Sequence, residues 1–192
     1  MSEWIDELRA ALTREFGDGK PQVCTMATVD RAGAPRARTV VCRRVSADGA
    51  VHVVSDARTE KNEQVKAAPQ TEVVFWLPAA REQYRVLGSI RVAGPAPGGG
   101  PTSPDPARDE LWRAMSDPAR ALFYWPTPGA RRSDEPAAFP KAAGPGDGPP
   151  PNFEVLVVRP KRVEHLQLAV HPHRRRRWLL AGKWSAAAEL NP

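Results

Sequence analysis

Cysteine is scarce in this chain: Cys24 and Cys42 are the only two among 192 residues, and their spacing does not fit a metal site. A disulfide framework is therefore excluded, and we predict reduced thiols in a reducing compartment, the cytoplasm. Apolar runs are also short, because none approaches the roughly 20 residues that a membrane-spanning helix requires. The N-terminus is polar and acidic and lacks the apolar segment of a signal peptide. We expect a soluble protein with no membrane partner.

Familiar catalytic and nucleotide-binding motifs are missing as well. The chain shows no Walker loop, no Rossmann fingerprint and no Ser/His/Asp or Cys/His arrangement. His171 and His173 lie two residues apart, but no acid or cysteine completes a ligand set, so we predict no metal. The lack of an obvious catalytic pair agrees with chemistry carried by a bound cofactor rather than by side chains.

Positive charge is in excess. The chain has 28 lysines and arginines against 22 acidic residues, a formal net charge of +6. This balance favours anionic ligands, but it does not choose among a phosphorylated cofactor, nucleic acid and an acidic membrane.

Short runs rich in β-branched residues, bounded by polar turns, recur through the first half of the chain. Together with a later run that Pro160 is expected to interrupt, they predict a mainly β protein, a six-stranded antiparallel barrel with peripheral helices. Gly88 indicates a bulge or a close backbone approach. The predicted strands are Gln22–Val29, Pro35–Arg44, Ala50–Ser55, Thr71–Leu77, Glu82–Ala93 and Phe153–Arg159, the last resuming over 163–168.

Helices and loops fill the rest of a single predicted domain spanning residues 1–192. An apolar stripe predicts a helix over 2–16, and two short helices are predicted over Pro106–Ser116 and Pro118–Tyr124. The Pro/Gly-rich segments 94–106 and 125–151 are predicted to be loops, the second a possible lid.

A phosphate site is suggested by spacing alone. The segment 56–69 is predicted to form a short helix that Thr59 can cap. The start of a helix offers unpaired backbone N–H groups and a partial positive charge. Ser55, Thr59 and Lys61 cluster there, and Arg38 begins an interior strand segment nearby. These groups together are suited to gripping a phosphate.

Three motifs in this order resemble the pyridoxamine-phosphate-oxidase-like, FMN-binding split-barrel family. They are RTVVCR (Arg38–Arg43), the Ser/Thr-x-Lys helix start at Thr59 to Lys61, and QYRVLG (Gln83–Gly88). The resemblance covers 22–92 well and resumes more faintly from 153 to 192, and it is closest to a branch of unassigned substrate.

The resemblance implies FMN as cofactor and an obligate homodimer with the flavin in its interface. Arg38 would hold the phosphate, completed by Ser55 and Lys61 with Thr59 beside them. Thr39, Val40 and Val41 would present backbone groups to the ribityl chain and ring. Gln83 would hydrogen-bond the ring, and Arg177 would reach it from the second subunit. The candidate substrate contacts are Arg43 and Arg175.

Several positions depart from the oxidase pattern. Leu166 stands where the oxidase has a tryptophan, and Glu60 where it has an arginine beside the phosphate-binding lysine. Arg113 and Asp117 stand in place of a tyrosine and an arginine that bind substrate phosphate. We therefore predict that pyridoxamine phosphate is not the substrate.

The resulting hypothesis is a flavin-dependent oxidoreductase acting on an unidentified small molecule. Three alternatives stay open from sequence: a deazaflavin-dependent reductase, a flavin-binding protein without turnover, and a basic barrel that binds nucleic acid. The last is disfavoured, because most tryptophans fall in apolar runs where core packing is expected.

Overall fold

The structure, a computed structural model, describes residues 2–18, 20–95, 106–143 and 148–192. Helix α1 (Glu3–Phe16) has the predicted apolar stripe, and Trp4, Ile5, Leu8 and Leu12 are buried. It ends at Gly17, which has a φ of 86° and donates its N–H to the Thr13 carbonyl. A residue with a Cβ would be strained there, so glycine suits this helix end.

Six antiparallel strands close into a barrel, which confirms the predicted fold. Around the barrel the order is β3-β2-β1-β4-β5-β6, and the pairing of β3 with β6 closes it. Inward positions alternate with outward ones, so side chains such as Met26, Val53, Phe75 and Val86 fill the interior. The strands are β1 (Gln22–Val29), β2 (Pro35–Val45), β3 (Val51–Asp56), β4 (Gln70–Leu77), β5 (Glu82–Ala93) and β6 (Phe153–Gln167).

Further elements lie outside the barrel. Strand β7 (Arg174–Ala181) pairs with β6, and two short strands, β8 (Lys183–Trp184) and β9 (Ala188–Leu190), pair with β7. The helices are α2 (Glu60–Ala67), α3 (Pro106–Ala114) and α4 (Asp117–Ala121), with 3-10 turns at Leu122–Tyr124 and Pro136–Ala138.

One expectation about β6 is wrong, because Pro160 does not interrupt it. Gly88 of β5 pairs with Pro160 while Leu87 pairs with Arg162, so Lys161 is an extra residue in a bulge. A bulge tolerates proline, which has no N–H to donate to the ladder. The predicted close approach at Gly88 is confirmed: an added Cβ would lie 2.2 Å from the Arg159 carbonyl oxygen.

The two cysteines lie on the neighbouring strands β1 and β2, where both are free and buried.

The loop predicted over 125–151 contains the 3-10 turn Pro136–Ala138, and the Trp125 indole N–H donates to the Pro140 carbonyl at 2.9 Å. Residues 96–105 of the other predicted loop, and 144–147 of this one, lie outside the described residues. Within the described part of the chain, no helix is long and apolar enough to cross a membrane.

Candidate functional site

Arg38 is held in place by neutral partners. One of its Nη atoms donates to Thr28 Oγ1 at 2.5 Å and to the Met26 carbonyl at 3.2 Å, while the other donates to Gln64 Oε1 at 2.7 Å. Thr28 also donates to Gln64, at 2.7 Å, so the two polar side chains fix the guanidinium between β1 and α2. Burial lowers the pKa of Arg38, and Glu60 opposes this shift through its charge.

Lys61 lies in the first turn of α2, close to Arg38. Its Nζ donates to Thr59 Oγ1 at 2.9 Å, and that hydroxyl donates to the Asp56 carbonyl at 2.7 Å. Burial chiefly lowers the pKa of Lys61, and the charge of Arg38 lowers it further. Two like charges are therefore held together in a partly desolvated place. We name Arg38, Thr59 and Lys61 the phosphate cluster.

Two sequence expectations at this helix need adjustment. Thr59 occupies the predicted N-cap position, but its side chain forms no cap hydrogen bond because it turns back to Asp56. Ser55 is buried and donates to Asn62 Oδ1, and Asn62 in turn donates to Glu154 on β6. The Ser55 hydroxyl proton is thus directed into the protein, although its oxygen keeps acceptor capacity.

The β2 segment beside the phosphate cluster is exposed along one backbone edge. Thr39, Val40 and Val41 pair with β1, whereas β3 pairs with β2 only from Cys42 to Val45. The edge of Arg38–Val41 facing away from β1 therefore has no ladder partner among the described strands. Thr39 and Val41 point outward, and Val40 points into the core. This edge is suited to hydrogen-bonding a ligand through its backbone.

A second group of predicted residues lies on β5, β6 and β7. Gln83 pairs with Leu166, which pairs with Arg175, and in the neighbouring row Arg85 pairs with Glu164, which pairs with Arg177. A cavity of about 80 Å³ opens among Pro192 and these side chains other than that of Arg177. We name this set the ring patch; it comprises Gln83, Arg85, Glu164, Leu166, Arg175 and Arg177.

The two predicted arginines of the ring patch differ in their partners. Arg175 donates to the Glu164 carboxylate through Nη2 at 2.6 Å and through Nε at 3.2 Å. Arg177 forms no ion pair with a described residue, and its Nε is buried without an acceptor. Arg177 is therefore a cation still available to an anionic partner, whereas Arg175 already has one.

Arg43 lies at an irregular point of β2. The register with β3 shifts between Cys42 and Arg44, which places Arg43 at a bulge. It lines a cavity of about 220 Å³ together with Arg9, Lys20 and Arg44, and burial lowers its pKa. Bulges commonly re-aim side chains next to functional sites.

A single electrostatic pattern links these residues. Eleven lysines and arginines of the described chain are buried or half-buried, and seven of them lie within 4 Å of a carboxylate. The other four have no described carboxylate partner: Arg38, Arg43, Lys61 and Arg177. All four are among the five cations that the sequence analysis assigned to cofactor or substrate. Leaving a partly buried cation unpaired is costly, so this pattern indicates a binding site for an anion.

The residues that support the site were not predicted from the sequence. Thr28 and Gln64 orient Arg38, and Asn62 connects α2 to Glu154. A signal was present for α2, because EKNEQVKA contains one large apolar residue, Val65, so its inner face must bury amides. No comparable signal marked Glu164, whose partners come from three different strands.

Comparison with known proteins addresses which anion fits. The family model described as pyridoxamine 5'-phosphate oxidase, FMN-binding domain, matches residues 1–94. A pyridoxamine 5'-phosphate oxidase-related, FMN binding protein from Nostoc punctiforme is 30% identical, with a TM-score of 0.87 over 100% of this chain and 99% of that one. The chain belongs to the pyridoxamine 5'-phosphate oxidase-related FMN-binding family. The predicted resemblance is thereby confirmed, and FMN is the cofactor of this domain family.

Two curated relatives extend the comparison. Pyridoxine/pyridoxamine 5'-phosphate oxidase 2 of Arabidopsis thaliana is 29% identical over 173 residues, 88% of this chain and 84% of that protein. The Rhodococcus jostii pyridoxine/pyridoxamine 5'-phosphate oxidase is 37% identical over 90 residues, 45% of this chain and 40% of its own length. PhzG of Burkholderia lata, at 20% identity and a TM-score of 0.79, shares the fold.

The residues of this family member fit FMN. The cofactor carries a phosphate and a ring that becomes negative on reduction, and the chain offers unpaired cations in two places. The orphaned Arg177 Nε and the partly desolvated Lys61 are the clearest of these. Each would gain an anionic partner if a flavin phosphate or a reduced ring lay against it.

Proposed function

We propose that this protein is a homodimeric oxidoreductase that holds FMN between the phosphate cluster of one subunit and the ring patch of the other. The observation that carries the proposal is the set of four partly buried cations that have no carboxylate partner among the residues that the structure describes. Charged hydrogen bonds contribute roughly 1.5–3 kcal/mol each, so a phosphate bound by two cations accounts for much of a micromolar affinity.

The phosphate cluster supplies the anchor. Arg38 is already oriented by Thr28 and Gln64, so little side-chain entropy would be lost when a phosphate binds. Lys61 and the first N–H groups of α2 would add donors from the other side. Glu60 is exposed, and its charge partly offsets Arg38, which would make this grip weaker than one built with an arginine at that position.

The separation of the two groups favours a site shared by two subunits. One row of register partners crosses the sheet from β2 to β7. Its successive members are Thr39, Thr25, Val74, Arg85, Glu164 and Arg177. The ends are five strand spacings apart along this row, about 24 Å, and three spacings apart the other way round the closed barrel, through β3 and β6, about 14 Å; both paths are longer than the three-ring system of a flavin. A flavin lying against Thr39 is thus better placed to meet the Arg177 of a second subunit.

Several exposed apolar side chains of the sheet are of the kind that a dimer interface would cover. Val23, Trp76 and Leu179 point outward and are 46%, 45% and 44% exposed. Trp76 is the neighbour of Gln83 across the β4–β5 ladder, so the apolar surface adjoins the ring patch. Large exposed apolar side chains next to a cofactor site are commonly covered by a partner.

Within the site each group has a defined task. FMN supplies the hydride-accepting chemistry when bound. The Gln83 amide would orient the ring, and Arg177 would stabilise negative charge that develops on it. Pairing of the two barrels would exclude water from the ring. In this arrangement no side chain is required to act as an acid or a base.

The substrate is proposed to be a small molecule other than pyridoxamine phosphate. Arg113 is exposed, and Asp117, also exposed, is ion-paired with Arg120, so neither reproduces the phosphate contacts that the oxidase makes at these positions. Leu166, in the 80 Å³ cavity, offers no ring for stacking. Arg43 and Arg175 remain the proposed substrate contacts.

Subunit complementation tests the shared site. Lys61→Ala and Arg177→Ala chains, each expected to bind FMN weakly, are mixed, dissociated and reassociated. If one FMN spans two subunits, half of the sites in the heterodimer regain both side chains, and tight binding returns to up to that fraction. Failure to recover any tight site, or a monomeric wild-type protein that binds no FMN, would refute the proposal.

A further inference from the structure

Glu164 lies at the centre of an arginine cluster. Its carboxylate is 7% exposed and accepts from Arg85 Nη2 at 2.7 Å and from Arg175 Nη2 at 2.6 Å, and Arg162 Nε lies 3.6 Å away. Arg85 also pairs with Glu72 at 3.0 Å. The cluster of three arginines and two glutamates therefore carries a net charge of about +1.

The position of Glu164 relates it to the proposed flavin ring. It is the register partner of Arg177 and lies two residues from Leu166 on the same face of β6. Gln83 is its diagonal neighbour, at a typical separation of about 7–8 Å. Any ring that meets both Gln83 and Arg177 would thus lie close to this carboxylate.

We propose that Glu164 is a positioning residue that holds Arg175 and Arg85 and sets the charge felt by the flavin ring. It binds two guanidinium groups, whereas its register partner Arg177 forms no ion pair within the described ranges of the chain. The inference rests on the proposed function, since it places the ring beside the ring patch. It assigns to Glu164 a role that the sequence comparison with the oxidase did not supply.

The physical consequence is a lower positive potential at the ring than four nearby arginines would give. The proposed ring position lies near four arginines: Arg85, Arg162, Arg175 and Arg177. The buried Glu164 carboxylate lowers the electrostatic potential there over several ångströms, because solvent and salt screen a buried charge weakly. Hydrogen bonds and charge from the arginines lower the pKa of Glu164 against the opposing effect of burial, so the group stays ionised. A neutral residue of the same shape would leave the arginines uncompensated.

Sulfite binding to the FMN-loaded protein provides the test. Sulfite is an anionic nucleophile that adds reversibly to oxidised flavin and bleaches its colour, and it binds more tightly when positive charge near the ring increases. Glu164→Gln should lower the sulfite Kd by about tenfold or more at low ionic strength, and added salt should reduce the difference. The matched control is Glu189→Gln, which removes a carboxylate from an exposed pair between Glu189 on β9 and Arg174 on β7; its Kd should stay within about twofold of wild type.

Arg175→Gln provides the opposite perturbation and covers the case in which Glu164→Gln does not fold. It removes one cation while Glu164 stays charged, so the sulfite Kd should rise by about tenfold. FMN content is measured separately by absorbance. FMN-loaded variants whose sulfite Kd matches wild type would overturn this inference alone, whereas a wild-type protein without FMN would overturn the proposed function and this inference together.

Discussion

Replacing Lys61 by alanine should reduce FMN affinity without harming the apoprotein. One charge-assisted contact to phosphate is worth roughly 1.5–3 kcal/mol, so the FMN Kd should rise by about 10- to 100-fold. Lys61 is partly desolvated and lies beside Arg38, so its removal relieves an unfavourable charge in the apoprotein. The thermal midpoint of apo Lys61→Ala should therefore equal or slightly exceed that of wild type.

The assay is a titration of apoprotein with FMN at fixed salt, followed by quenching of flavin fluorescence. Riboflavin, which lacks the phosphate, is titrated in parallel. Lys61→Ala should lose affinity for FMN but not for riboflavin, and Arg38→Ala should behave similarly, with an FMN Kd raised at least about tenfold.

Lys66→Ala is the matched control, because Lys66 lies on the same helix and pairs with Glu154 at 3.3 Å. Its FMN Kd should stay within about twofold of wild type. Unchanged FMN affinity in both Arg38→Ala and Lys61→Ala would show that the phosphate binds elsewhere. An equal loss for riboflavin would show that the substitution disturbs the barrel instead of a phosphate contact.

Three other predictions concern the barrel and its surface. Gly88→Ala should destabilise the protein by about 1–3 kcal/mol or more in thermal unfolding, since its Cβ would lie 2.2 Å from a backbone oxygen, whereas Gly148→Ala, with nothing within 4 Å, should be neutral. Trp76→Glu should shift sedimentation equilibrium toward monomer and weaken FMN binding in parallel, and Leu122→Glu, at another exposed apolar side chain, should do neither. Cys24 and Cys42 should resist thiol reagents until the chain unfolds, because both are buried and burial raises the pKa of Cys42 to about 12; labelling of the native protein would contradict this.

The strands were predictable because their signals are local. Alternating β-branched residues and Gly or Pro turns fixed β1 to β5 to within two residues, and Gly88 signalled the bulge. The continuity of β6 was not predictable, because proline ordinarily ends a ladder. It is tolerated here through Lys161, an extra residue whose effect appears only when β5 is in register.

The site was predictable to the extent that it depends on residue type and spacing. Arg38 and Lys61 were found because a strand and a helix start bring them together from nearby in sequence. The ion pair of Arg175 with Glu164 was not predicted, because the two residues are eleven positions apart in sequence and come into contact only across the β6–β7 ladder. Which arginine remains unpaired depends on such contacts, and sequence pattern alone does not contain them.

The distribution of paired and unpaired cations distinguishes a binding surface from a merely basic one. Exposed lysines and arginines are solvated at little cost, so the net charge of +6 by itself indicates little about function. A partly buried cation is different, because it loses hydration and needs an anion in return. Among the described residues, Arg175 and Arg176 pair with Glu164 and Glu7, whereas Arg177 of the same strand has no carboxylate partner. Glu164 is the register partner of Arg177 and yet pairs with other arginines, which agrees with the proposed site, where an anionic ligand would lie against Arg177.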